Sequence, residues 1–197
     1  MTRSSPAQTL TFTYDYLDRR IRKVVSGTGA KDRKFVWHGW KLVAETRADG
    51  YTIENSFIWG PDFSDAQGAA GGAGSLLGQY DSEDAFTYAV PDVTGNIAGY
   101  LNTSGNFTAA REFSLFGQTI KTWGADYAAH PIGYGGHYTD SESGLVYYGY
   151  RYYNPKHGRF INRDPVEEAG GVNLYGFVGN APTRGWDVLG LACYYSE

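Results

Sequence analysis

Turn signals recur along this chain about every 8–12 residues, and between them apolar and polar side chains alternate. Thr9 to Val25 sets Leu10, Phe12, Tyr14 and Tyr16 on one face, with threonines and Asp15 on the other. A period of two describes a half-buried strand. Leu17-Asp18 then turns the chain, and Arg20 to Val24 returns as the partner. Phe35 to Trp37 and Lys41 to Glu45 form a second hairpin around His38-Gly39. Tyr51 to Trp59 follows an Asp49-Gly50 pair that tolerates positive φ. Glycines between Gly60 and Gly78 interrupt the rhythm and predict a loop or a close-packed crossing. Phe86 to Val90, Ile97 to Leu101, Ala109 to Leu115 and Gln118 to Thr122 resume it. The pattern predicts an all-β chain of antiparallel hairpins.

Composition agrees. With 27 glycines, 16% aromatic and 19% charged residues, the chain lacks the Lys, Glu, Leu and Ala that long surface helices favour. A net charge of −4 leaves no basic footprint for nucleic acid. One cysteine, Cys193, excludes an internal disulfide framework. The first residues carry no apolar signal-peptide core, and no window has the length of a membrane helix. These features predict a soluble protein synthesised in a cytoplasm.

The hairpins also repeat weakly, at about 20 residues, which predicts a sheet whose units contact mainly their neighbours. Such an array has open edges. Its first strand reads as though cut from a longer chain, so an upstream sheet or a second copy is the expected neighbour.

From Pro131 onward the residues become more specific. Seven of the 17 tyrosines lie between Tyr134 and Tyr153. Tyr138-Thr139-Asp140, Glu142, Gly144-Leu145, Tyr147-Tyr148, Arg151-Tyr152-Tyr153, Pro155, Gly158-Arg159-Phe160, Asp164-Pro165, Gly170-Gly171, Asn173-Leu174-Tyr175, Asn180 and Pro182 resemble the Rhs repeat-associated core domain. Tyr14-Asp15 and the Gly95-Asn96 turn resemble that family's YD repeats. The resemblance implies a spiral β sheet over residues 1–130 and a core that plugs one end over residues 131–191. A short tail, 192–197, follows. It further implies that such a shell encloses a C-terminal toxin or effector delivered by a secretion system, and that Asp side chains of the core release that segment by autoproteolysis.

On this pattern Asp164 and Asp187 are the candidate acid pair, with Arg163 as their support. The cut falls at Leu191-Ala192, and Val188 stands where the family carries proline. Two carboxyls that meet can divide the work, one activating water and the other donating a proton; an arginine beside them is placed to stabilise an oxyanion. The 23 residues between the two Asp leave room for the chain to fold back. The same residues are also ordinary turn formers, Asp as acceptor and Gly for positive φ. Only six residues follow the expected cut, too few for a toxin.

Other chemistry finds less support. Cys193 has no histidine at informative spacing. His38, His130, His137 and His157 are scattered, which predicts no metal site. Gly72-Ala73-Gly74 lacks the rest of a dinucleotide or phosphate loop, so no cofactor is expected. The tyrosine run suits either a glycan- or protein-binding surface or a packed plug with its hydroxyls satisfied at the edges. The spacing of Tyr148, Tyr150 and Tyr152 predicts one strand face.

Overall fold

A computed structural model describes residues 8–61, 76–124, 126–191 and 193–195, with backbone alone for 126, 128 and 193–195. No α-helix occurs among the described residues; all the longer elements are strands.

Ten strands form one antiparallel sheet in chain order: β1 (Thr9–Tyr14), β2 (Arg20–Ser26), β3 (Lys31–His38), β4 (Lys41–Arg47), β5 (Ile53–Trp59), β6 (Leu76–Asp81), β7 (Phe86–Pro91), β8 (Ile97–Asn102), β9 (Phe107–Phe113) and β10 (Thr119–Trp123). Leu76-Leu77-Gly78 therefore begin a strand rather than continue a loop, while Gly72-Ala73-Gly74 lie outside the described residues. The β3–β4 loop is Gly39-Trp40, since His38 pairs with Lys41, one residue on from the expected turn.

Five of the connections share one local design. Asp15, Asp81, Asp92, Asn102 and Ser114 each accept, on a side-chain oxygen, the amide of the residue four positions on. The same two residues also close a backbone bond in the reverse direction, Asp15 N to Arg19 O being the first. The fourth residue of each turn, Asp18, Asp84, Gly95, Gly105 or Gly117, has positive φ. This is a three-residue hairpin loop ending in a left-handed residue, and the short polar side chain ahead of it holds the first strand's last amide partner in register. Tyr14-Asp15 and Tyr80-Asp81 are two copies of it.

Four short strands, β11 (Tyr138–Thr139), β12 (Val146–Tyr147), β13 (Tyr152–Asn154) and β14 (Arg159–Phe160), make a second sheet. β15 (Gly185–Asp187) and β16 (Cys193–Tyr195) make a third. Residues 173–175 form a turn, with Gly176 bridged to Arg159. Tyr148 and Tyr150 belong to the β12–β13 loop and not to one strand face with Tyr152.

The large sheet and the C-terminal third share a core. Phe35, Leu42, Phe57, Leu76, Ile97, Tyr100 and Ala109 from the sheet pack with Ile132 and Tyr138. A second cluster joins Tyr134, Val146, Tyr148, Tyr153, Phe160, Phe177 and Val178. The tyrosines are filler with tethered ends: the hydroxyls of Tyr153, Tyr134 and Tyr100 donate to the carbonyls of Phe116, Leu115 and Ile132. Burying a ring this way gains apolar area without stranding a hydroxyl.

A buried ion cluster fastens the two parts. Arg20 Nη1 of β2 lies 2.6 Å from Asp140 Oδ2, and Lys23 Nζ lies 2.9 Å from Asp140 Oδ1 and 3.0 Å from Glu142 Oε2. The Arg20 amide donates to the Tyr147 hydroxyl. Its guanidinium sits against Phe12, Phe35, Tyr138 and Tyr147. Asp140 and Glu142, the acids following β11, are thus tied to β2 across the interior.

Candidate self-cleavage site

Asp164 and Asp187 come together, each at the mouth of a tight turn. Asp164 Oδ1 accepts the Val166 amide, and the Asp164 amide donates to the Leu174 carbonyl. Asp187 closes β15; its Oδ1 accepts the Gly190 amide at 2.6 Å and the Leu191 amide at 3.1 Å. Both carboxylates are buried, at 5% and 3% exposure.

The group between them is Arg151. Its Nη1 lies 2.8 Å from Asp164 Oδ2 and its Nη2 lies 3.3 Å from Asp187 Oδ2. The guanidinium carbon sits 3.7 Å from the centroid of the Phe160 ring, which fixes its plane. Arg163, expected in this role, points outward: its side chain is 60% exposed and its nearest acid is Glu167, at 3.9 Å. The outward placement of Arg163 has a simple cause. Arg163 adjoins Asp164 in the chain, and consecutive residues entering a turn project apart, whereas Arg151 reaches the acids from the neighbouring loop. An arginine inside a run of tyrosines was the available signal, because a buried guanidinium requires buried acceptors.

Leu191 is the residue these groups surround. Its amide is held by Asp187, and its carbonyl faces Asp164 across Gly170. A methyl group built on Gly170 would lie 2.7 Å from Asp164 Oδ2 and 3.1 Å from the Leu191 carbonyl oxygen. Acid and carbonyl therefore both pack against Gly170, where there is no room for a side chain. Ala192, the other side of the expected cut, lies outside the described residues. Val188, in the position of the family's proline, is nearly buried, and Asp187 draws its backbone bonds from Leu189, Gly190 and Leu191, not from residue 188.

Burial pushes the Asp187 carboxyl above its ordinary value, against the pull of Arg151 and of the backbone amides. Beneath the same loop, burial pushes His137 down to about 4, while the Asp187 backbone carbonyl accepts its hydrogen bond. Among the described residues His137 Nε2 is buried without a hydrogen-bond partner, and the ring lies 3.9 Å from that of Tyr148. Among the described residues no group of His, Cys, Asp and Glu is arranged to hold a metal ion.

This is an antiparallel β shell segment with a tyrosine-packed plug, carrying two buried acids joined through one arginine. The chain belongs to the Rhs family. It is 30% identical over 203 residues to the double-stranded DNA deaminase toxin A of Burkholderia cenocepacia strain H111, covering 94% of this chain and 14% of that protein. It is 30% identical over 172 residues to the probable deoxyribonuclease RhsB of Dickeya dadantii strain 3937, covering 87% of this chain and 10% of that protein. The chain thus spans a small part of the relatives it matches. No family model matches it. Among solved structures, a TcdB2-TccC3-Cdc42 structure superposes with a TM-score of 0.71 at 24% identity, over 92% of this chain and 9% of that one. The Photorhabdus luminescens Tc holotoxin pore superposes at 0.70 and 20% identity, over 95% of this chain and 9% of that one. At these identities the likeness is one of fold.

Proposed function

We propose that this chain is the C-terminal portion of an Rhs-type β shell that encloses a C-terminal effector, and that it cuts its own backbone after Leu191. Residues 1–130 supply shell wall and residues 131–191 the plug. The relatives named as toxins support the effector, and with it delivery out of the producing cell. The observation that carries the cutting is the placement of Leu191, its amide bound to Asp187 and its carbonyl opposite Asp164.

In this scheme Asp164 takes a proton from a water that reaches it beside the Leu191 carbonyl. That water adds to the Leu191 carbonyl carbon. Arg151 holds both carboxyl groups in position. Asp187, which burial favours in its protonated form, delivers a proton to the Ala192 nitrogen as the carbon–nitrogen bond breaks. The products are a Leu191 carboxylate and a free Ala192 amine. A bond within the same chain meets its catalyst at high effective molarity, and one turnover suffices.

Intact mass measured under denaturing conditions tests this directly. Wild-type protein is expected to lose Ala192 to Glu197, and Asp164→Asn to retain them; a wild-type chain that stays whole would falsify the cutting. The packing of the tyrosine hydroxyls onto backbone carbonyls favours a sealing role for the aromatic run over glycan recognition.

A further inference from the structure

Downstream of Leu191 the chain does not simply trail away. Cys193, Tyr194 and Tyr195 run back as β16 along β15, with Asp187 opposite Cys193, Trp186 opposite Tyr194 and Gly185 opposite Tyr195. The expected cut therefore lies in the connection of a hairpin, with a paired strand on each side. We infer that β15 is a docking strand that captures whatever polypeptide follows Leu191 through its main chain, and so presents the Leu191 carbonyl to Asp164. This rests on the cutting reading above and extends it to how the downstream chain is recognised.

Three physical facts support this assignment. Strand addition draws its hydrogen bonds from backbone groups that every residue except proline carries, so it accepts almost any sequence. A ladder of three pairs is too short to hold itself in water, so something else must set its register. That is the loop between the strands: Asp187 Oδ1 holds Gly190 and Leu191, and the Leu189 carbonyl accepts the Tyr150 amide at 3.1 Å. Asp187 is thus both the last residue of β15, paired with Cys193, and the anchor of the Leu191 amide. Register and presentation are set by one residue. The tether that makes the ladder effectively intramolecular is the bond to be cut, so docking weakens once the cut is made.

The main-chain character gives the test. Cys193→Ser, Tyr194→Ala and Tyr195→Ala remove side chains and leave the ladder. In a Tyr194→Pro/Tyr195→Pro double variant, consecutive amides point to opposite edges, so one of the two lost N–H groups must face β15. In uncut Asp164→Asn protein, hydrogen–deuterium exchange is expected to show the Gly185–Asp187 and Cys193–Tyr195 amides that face the partner strand protected at least tenfold, unchanged by the three side-chain replacements; in the double proline variant, which has no amide hydrogen at 194 or 195, the β15 amides are expected to lose that protection. In chains with Asp164 intact, denaturing mass is expected to show cutting within threefold of wild type for the side-chain variants and at least tenfold slower for the double proline variant. Protection that disappears with a side-chain replacement overturns the inference, as does a double proline chain cut at the wild-type rate. If the wild type stays whole, the cutting reading fails, and the exchange experiment alone decides whether β15 docks the downstream chain.

Discussion

Arg151 and Asp187 meet through a contact of 3.3 Å between two side chains that are each almost wholly buried, and Arg151 reaches Asp164 with its other nitrogen. One guanidinium thus serves two buried acids. Removing it strips both of their partner, which for a buried pair costs about 3–5 kcal/mol. Arg151→Met is expected to lower the denaturation midpoint by that equivalent. Arg163→Ala, at an exposed position, is expected to stay within about 0.5 kcal/mol of wild type. Urea melts of the two variants side by side check the assignment.

Gly170 is expected to be needed for its lack of a side chain. Gly170→Ala places a methyl 2.7 Å from Asp164 Oδ2 and 3.1 Å from the Leu191 carbonyl oxygen, which forces the acid and the scissile carbonyl to shift. Displacing reacting atoms by a fraction of their contact distance costs about 100-fold in rate. Time-resolved denaturing mass is expected to show that loss while the thermal midpoint moves by only a few degrees.

Val188→Pro restores the family residue. Because Asp187 bonds to the amides of Leu189, Gly190 and Leu191, losing the amide of residue 188 removes none of these contacts. The variant is expected to fold and to be cut within a few-fold of wild type, measured by the same mass assay.

Asp140 ties the plug to β2. Asp140→Ala strands the buried Arg20 and leaves Lys23 with Glu142, and is expected to cost about 3–5 kcal/mol. Replacing the pair with Arg20→Met and Asp140→Leu together is expected to recover much of that loss, because no buried charge is then left between those two positions. A double-mutant cycle by chemical denaturation measures the coupling.

His137 gives the seam a pH dependence of predictable sign. Its folded value of about 4 lies below the unfolded 6.5, so the unfolded chain binds the extra proton between those limits. Its contribution is fully present above pH 6.5 and is lost as the pH falls toward 4, about 2 kcal/mol of it between pH 7 and pH 5. Asp187 works in the opposite sense: raised in the fold, it favours the folded state as the pH drops through its own folded value toward the ordinary carboxylate one. Stability measured from pH 7 to pH 5 is expected to fall in wild type and to lose most of that slope in His137→Gln.

Alternation in Leu10, Phe12 and Tyr14 and the recurring turn signals were sufficient to specify strands and an all-β chain of antiparallel hairpins, while the shell was implied by the resemblance of the residues after Pro131. Alternation and turn signals are local properties, decided within five to eight residues by sterics and by side-chain oxygens capping nearby amides. Asp164 and Asp187 were legible for the same reason, as turn residues in a long motif. Which groups would face them was not. Arg163 beside Asp164 in the chain turns to solvent, while Arg151, Gly170 and His137 converge from three separate loops. Their meeting depends on how the plug closes against the ten-stranded sheet, and a buried charge takes as its partner whatever the packing brings within reach. The strand pairing after Leu191 belongs to that second kind as well. Only a hairpin closed on Asp187 shows that the residues beyond the cut are held, and by their backbone.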